Sequence, residues 1–376
     1  MGYDGEFQEE LPAEEMLKII LDYAAKISGE NDLDTLLILM AEMGRKLVRA
    51  DRCTLWLVDR EKKRIWTKVA HGIERIDMPV DSGLAGHSVQ TGENVLVKDA
   101  YEDDHFNPAI DKETKYRTRS VLCMPIRSFD GEIIGVYQAI NKGLGFDWFS
   151  EKDEKNLSVA ASYMGKSIQA AILHAELIET QREIIFKIGE VSESRSRETG
   201  QHVKRVAKYS RELAKLYGLP ESEAHMIELA SPMHDIGKVA IPDHILKKPG
   251  KLTPEEFAVM QTHTTEGYNI FKSSSRHIFK TAAIIAYQHH EKWNGTGYPC
   301  GLKEKEIHLY ARMTALADVF DALSSDRVYK KAWPLEQIIH FINEERGRHF
   351  DPHLVDLFLG NLHVFTAIRD QYQDSF

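Results

Sequence analysis

Eight side chains in the C-terminal half have the types and spacings that hold cations. Glu198 and His202 lie four apart and so share one helix face. His234 and Asp235 are adjacent, as are His289 and His290, while His263 and Asp318 each fall in or beside a helical pattern. Together they offer imidazoles and carboxylates with no thiolate, the mixture that suits iron, manganese, zinc or magnesium. Any one histidine alone reads as an ordinary core or surface residue, and the sequence around it decides between the two. Cations held this way would ready a water molecule for attack and neutralise negative charge beside it.

Helices must position these groups. Apolar residues recur with helical period over residues 201–217, 222–233, 254–260, 264–271, 277–289, 310–323 and 335–345, with no convincing strand pair. Thr253-Pro254-Glu255-Glu256 predicts a capped start, with Pro at the first helical position and a Glu reaching back. Gly295, Gly297, Tyr298 and Pro299 predict a loop, because Gly-x-Gly followed by x-Pro cannot continue a helix.

The N-terminal half reads differently. Residues 13–26 and 34–48 are helical in pattern, residues 53–58 and 64–69 are strands around a charged turn, and residues 94–97 form a further strand. Residues 83–89 read as a Gly-punctuated short helix, residues 101–116 as a polar loop, and residues 120–127 and 133–141 flank an Asp130-Gly131 hairpin turn. The sum is an α+β unit, an antiparallel sheet flanked by helices. From Glu151 the period is helical for about 45 residues without a proline, long enough for a coiled coil. Ala161, Ile168 and Ala175 fall on one seam position and Met164, Ala171, Ile178 and Ile185 on the other. That seam either pairs two chains into a homodimer or packs on the preceding sheet.

The 376 residues suggest two domains at roughly 150 residues each. A net charge of −10 disfavours nucleic-acid polymers as partners, although cations or a local basic cluster can reverse the sign at one site. Three scattered cysteines suggest neither a disulfide framework nor a thiolate zinc site. The acidic N-terminal residues lack a signal-peptide pattern, and no apolar run spans a bilayer, so no membrane association and a cytoplasmic location are expected.

The context of the eight residues resembles a known family. His234-Asp235-Ile236-Gly237-Lys238 is similar to the signature of the HD superfamily of metal-dependent phosphohydrolases. His289-His290-Glu291-Lys292-Trp293-Asn294-Gly295-Thr296-Gly297-Tyr298-Pro299 resembles the extended signature of its HD-GYP branch, in which an all-α domain hydrolyses cyclic di-GMP. Lys251 to Glu256, His263 and the segment from Asp318 to Arg327 follow in the expected order.

The resemblance implies His234, Asp235, His263, His289, His290 and Asp318 as metal ligands, with Asp235 bridging two ions. Glu198 and His202 would admit a third ion, and iron, then manganese, is the implied metal. The implied reaction is in-line attack on phosphorus that expels the ribose 3′-oxygen, giving pGpG, with a second cut to GMP left open. Lys238 either donates to phosphate or the leaving oxygen or is a helix-terminal surface lysine. Arg327 and Lys330 form a cationic pair for the second phosphate or a guanine edge, or else a solvated loop. Gly295 and Tyr298 wall the pocket, Tyr298 against a guanine or simply fixing the loop. The sequence departs from the branch at Asn294, Val328 and Lys330, where Asp, Pro and Arg are usual. A different cyclic dinucleotide or nucleotide substrate, or a non-catalytic cyclic di-GMP receptor, are the competing readings.

The N-terminal half resembles a GAF domain, most specifically through Asn141-Lys142, Phe149 and Asp153-Glu154. In such domains a Lys–Asp pair braces the fold, and a small ligand such as a nucleotide, or dimerisation alone, is the implied role. The expected organisation is an acidic tail at residues 1–15, a GAF sensor at 16–155, a linker helix at 156–190 and an HD-GYP domain at 191–376.

Overall fold

A computed structural model describes residues 11–30, 32–67, 76–143, 148–196, 199–325 and 331–374. Two compact units divide the chain, Met1–Ile178 and Glu179–Phe376.

The first unit is an antiparallel sheet with helices on both faces. Its elements are α1 (Ala13–Ser28), α2 (Leu33–Leu47), β1 (Ala50–Asp59), β2 (Arg64–Thr67), β3 (Ile76–Pro79), α3 (Gly83–Thr91), β4 (Val95–Val97), α4 (Ala109–Thr114), β5 (Val121–Arg127), β6 (Ile133–Lys142) and the start of α5 (Glu151–Ser194). The sheet order is β3-β2-β1-β6-β5-β4, all pairs antiparallel. Side chains alternate between its faces, as a period of two demands. Leu55, Leu57, Tyr137 and Ala139 join one cluster with residues of α1, α2 and α5, while Trp56, Val136, Val121 and Cys123 join the other beside α3. The expected α+β architecture is present, with two additions: β3, and α4 inside the stretch read as a loop. The short polar sequence of α4 gives little apolar period. It is held by Thr114 Oγ1 donating to the Ile110 carbonyl at 2.8 Å and by buried Asp111.

Tyr137 shows how closely the sheet and α2 approach. Its buried hydroxyl donates to the carbonyls of Met40 and Ala41 at 2.6 and 2.7 Å. Gly44 makes room, since a Cβ there would lie 2.0 Å from the Tyr137 hydroxyl. The Lys–Asp brace is present: buried Lys142 pairs with Asp153 and donates to the Val48 carbonyl at 2.8 Å. Phe149 is buried, and Asn141 accepts from Arg119 N at 2.6 Å.

Of the two roles open to the seam, packing on the preceding sheet is the one this unit shows. Ala161, Met164, Ile168 and Ala171 pack into the cluster with α2 and the sheet. Ile185, further along α5, is buried in the second unit.

The second unit is helical: the end of α5, α6 (Gly200–Tyr217), α7 (Glu221–Ala230), α8 (Asp243–Leu246), α9 (Pro254–Phe271), α10 (His277–Gln288), α11 (Leu309–Ser324), α12 (Leu335–Glu344), α13 (Pro352–Gly360) and α14 (Leu362–Gln371). Thr253 and Glu256 form the expected capping box at the start of α9. One apolar cluster joins α6, α7 and α11 to α14, and a second joins the end of α5 to α9 and α10.

Replacing Asp153 with Ala removes the carboxylate paired with the buried Lys142 ammonium. The first unit should lose about 3 kcal/mol, read as a lower midpoint for that unit in thermal or urea unfolding with the helical unit unchanged. An unchanged midpoint would remove the brace.

Candidate metal centre

His234 and Asp235 stand where the helical path breaks. After α7 the chain makes two short 3-10 turns, Ser231–Met233 and Ile236–Ala240, and the two residues occupy the junction between them. The second turn presses on α9: a Cβ at Gly237 would lie 1.8 Å from the His263 carbonyl oxygen and 2.5 Å from Gly267 N. Only glycine permits this approach, which brings Asp235 against the His263 ring.

The histidines share one arrangement. His234 Nδ1 lies 2.8 Å from the Ser231 carbonyl, His263 Nδ1 2.7 Å from that of Met260, and His289 Nδ1 3.0 Å from that of Ala286. His202 Nδ1 lies 2.8 Å from Asp321 Oδ2. Carbonyls and ionised carboxylates only accept, so each Nδ1 carries a hydrogen and each Nε2 is turned inward, a lone pair wherever the ring is neutral. The Nε2 atoms of His234, His263 and His289, Asp235 Oδ1 and Glu193 Oε1 are all buried without a hydrogen-bond partner. Buried polar atoms are seldom left so, and their clustering marks a place for cations.

Asp235 lies between two groups. Its Oδ1 is 3.3 Å from His263 Nε2 and 3.5 Å from His289 Nε2, and its Oδ2 is 3.3 Å from His234 Nε2. Ligand atoms of Asp235, His263, His289 and His290 converge within 4.8 Å of one another, as do those of Glu193, His202 and His234. Asp318 adjoins the second group, its Oδ1 3.6 Å from His202 Nε2 and 3.9 Å from His234 Nε2. These residues fit a cluster of metal ions, Asp235 offering one oxygen to each side.

Of the residues singled out from sequence, His202, His234, Asp235, His263, His289, His290 and Asp318 come together in the second unit. Glu198, Arg327 and Lys330 lie outside the described residues. Lys238 turns inward, its Nζ 2.5 Å from Asp235 Oδ2 and 3.2 Å from Glu193 Oε2. The Tyr298 ring sits 4.8 Å from that of His290. Its loop is anchored by buried Glu291, which accepts from Cys300 N at 2.7 Å and Leu302 N at 3.0 Å. Gly295 adopts φ +80°, and the same loop carries Asn294, whose Oδ1 accepts from Thr296 N at 3.0 Å.

Sequence reasoning missed Glu193. The signal was there: Phe186, Gly189 and Glu193 share the buried face of α5, and a carboxylate on a buried face demands a partner. It also missed the residues that hold His202. Asp321 takes two hydrogen bonds from Arg205, Nε at 2.6 Å and NH2 at 2.9 Å, and Arg205 donates to the Tyr372 carbonyl at 2.7 Å.

The electrostatics follow from burial and the carboxylates. Burial opposes charge on His234, yet Asp235, Asp318 and Glu193 push it up to about 10. Burial likewise opposes charge on Asp235, but Lys238 and His234 hold it well below the usual carboxylate range. Lys238 is held charged against burial by Asp235 and Glu193. Burial pushes His263 down to about 4, and burial with the neighbouring His289 lowers His290, so both are neutral donors at neutral pH.

A second cavity, of about 850 Å³ counting the space open at its mouth, lies in the first unit and is lined by Arg52, Trp56, Met78, Phe106, Tyr116 and Gln138 among others.

At neutral pH the metal-free site therefore carries a proton on His234, which a cation must displace. Metal affinity should rise about tenfold per pH unit below pH 10 for each proton displaced, and Mn²⁺ titrations in buffers of different ionisation heat should report proton release. No release would contradict the raised His234. Asp321→Ala removes two of the buried hydrogen bonds of Arg205, leaving it Asp374 and the Tyr372 carbonyl, and frees the His202 ring. It should cost the helical unit about 3–5 kcal/mol in thermal unfolding, and a loss below 1 kcal/mol would deny it that role.

The chain matches two family models, a GAF domain over residues 32–168 and an HD domain over residues 188–354. It is 48% identical over 232 residues to the 3′3′-cGAMP-specific phosphodiesterase 2 of Vibrio cholerae serotype O1, covering 61% of this chain and 44% of that protein. It is 42% identical over 197 residues to the cyclic di-GMP phosphodiesterase response regulator RpfG of Xanthomonas campestris pv. campestris, 52% of each chain. A cyclic di-GMP phosphodiesterase of Thermotoga maritima is 43% identical over 188 residues, 49% of this chain and 51% of that one. The chain thus spans about half the length of the curated relatives it matches. Among the described residues no helix is long and apolar enough to cross a membrane. The chain carries a GAF domain followed by a domain of the HD family.

Proposed function

We propose that the chain is a metal-dependent phosphodiesterase that opens cyclic di-GMP to pGpG, and cuts further to GMP, under control of its GAF domain. The observation that carries this reading is the set of buried, unpartnered Nε2 and carboxylate oxygen atoms around Asp235. Asp235, His263, His289 and His290 would hold one ion, and Glu193, His202, His234 and Asp318 with the second oxygen of Asp235 another. Glu198 would complete a third position. Iron is the first choice and manganese the second, since imidazole with carboxylate suits both. When bound, such ions lower the pKa of water and neutralise phosphate oxygens.

The chain's own groups would do the rest. Lys238, a cation beside Asp235, would donate a hydrogen bond to phosphate or to the leaving ribose 3′-oxygen. Tyr298, kept protonated mainly by burial, would offer a ring face to guanine, and Gly295 would leave its loop room to wall the pocket. Arg327 and Lys330 would grip the second phosphate. The protein would act in the cytoplasm as a homodimer through the GAF domain and α5, with a small ligand such as a nucleotide in the first unit's cavity. A second reading, 3′3′-cGAMP as substrate, is favoured by the name of the relative that is 48% identical.

Anaerobic purification with metal quantification, followed by product analysis on both dinucleotides, tests the proposal. Wild type should carry at least two ions per chain and yield pGpG, and Asp235→Ala should lose metal and turnover together. Turnover retained by Asp235→Ala overturns the assignment, and cleavage of 3′3′-cGAMP alone selects the second reading.

A further inference from the structure

The segment that follows α14 is tied to the metal centre. Helix α14 seats Phe365 against Tyr209 of α6 and Phe320 of α11, with ring centroids 6.0 and 6.5 Å apart, and it ends at Gln371. The next three residues turn back onto α6. The Tyr372 carbonyl accepts from Arg205 NH1 at 2.7 Å, and Asp374 Oδ2 accepts from the same nitrogen at 3.0 Å. Asp374 Oδ1 accepts from the Thr199 hydroxyl. The Asp374 side chain is only 8% exposed, so a carboxylate has been taken out of water and paired, by a segment that lies beyond the HD match ending at residue 354.

Both partners of Asp374 lead to His202. Thr199 is the N-cap of α6, and its Oγ1 accepts from His202 N at 3.3 Å. Giving its own hydrogen to Asp374 leaves that oxygen's lone pairs for the amide. Arg205 is buried, and the N–H groups of its fixed fork each need an acceptor. Asp321 takes one bond from Nε and one from NH2, while NH1 is met by Tyr372 and Asp374. Asp321 Oδ2 in turn lies 2.8 Å from His202 Nδ1. The segment therefore holds His202 at two points, the backbone through Thr199 and the ring through Arg205 and Asp321. The other group of ligands, Asp235 with His263, His289 and His290, stands on other elements.

We infer that Asp374 is a positioning residue of the metal centre, keeping His202 Nε2 aimed at the space it shares with Glu193 and His234. This rests on the metal-dependent reading above and adds a residue outside the conserved match to the support of one ion. Outer partners of metal-binding histidines set affinity by about 10–100-fold.

Manganese titration of the full chain, stripped with chelator and followed by calorimetry, tests the assignment. Wild type should bind at least two ions. Asp374→Ala should weaken one of them about 10–100-fold and leave another within about twofold. Thr199→Ala should weaken the same ion, and Gln373→Ala, at an exposed neighbour, should weaken neither. In the metal-free chain, amide hydrogen exchange over residues 200–206 should quicken in Asp374→Ala while α9 keeps its protection. A lower unfolding midpoint with unchanged affinities makes Asp374 a brace alone and overturns the assignment, as does equal weakening of every ion. Should the alanine variant fail to fold, Asp374→Asn, of the same shape without the charge, is judged by the same two measurements. A wild type that binds no manganese overturns the metal centre itself, whereas wild-type binding that Asp374→Ala leaves unaltered overturns only the role of this segment.

Discussion

A buried carboxylate faced by imidazole lone pairs is unstable unless something positive joins it. Asp235 sits among His234, His263 and His289, each with its Nδ1 already spent on a carbonyl and its Nε2 turned inward. The inward nitrogens and the carboxylate crowd one space, and none can turn away, because each ring is tied at its far nitrogen. The tie costs little in the folded chain and leaves one chemically sensible occupant, a cation. The rest of the helical unit can be understood as the means of keeping these rings from relaxing.

Those means are backbone and second-rank side chains. Gly237 lets the 3-10 turn touch α9, so Asp235 and His263 meet without a side chain between them. Asp321 fixes His202 and is itself fixed by Arg205, a guanidinium buried deep enough that it must be paired. Glu291 ties the loop of Gly295 and Tyr298 through two backbone amides. A cluster built this way draws on α5, α6, α9, the end of α10 and α11, so a cation bound there reports on the packing of most of the unit.

Much of this was legible before any coordinates. Local rules with strong chemistry came through directly: the Thr253 capping box, the Asp130-Gly131 hairpin, the Lys142–Asp153 brace, and seven of the eight clustered residues. What escaped was decided by burial and by three-dimensional neighbours. Glu193 looks like one more glutamate in a charged helix until the face it occupies is known. Asp321 acquires meaning only from His202, over a hundred residues away in sequence, and Arg205 only from Asp321. The repeat in α5 was visible, but a helix has several faces, and a period of seven fits more than one of them. Period alone identified a seam, and only the sheet packed against Ala161, Met164 and Ile168 shows that this seam was already occupied.

Charge also explains how the chain can fold before any cation arrives. Three carboxylates, Asp235, Glu193 and Asp318, would repel one another in so small a volume. Lys238 places its ammonium between two of them, and the raised pKa of His234 recruits a proton beside the third. These two internal cations offset most of the repulsion, so the metal-free unit keeps its core. They do not cancel it, and one negative charge is left over. Displacing the mobile proton from His234 exposes a second. The site is thus tolerable when empty of metal and yet more negative once the proton has gone, which is the condition under which a divalent ion gains by replacing a proton. In the metal-free site Lys238 is held charged by Asp235 and Glu193, the same carboxylates that would ligate the ions.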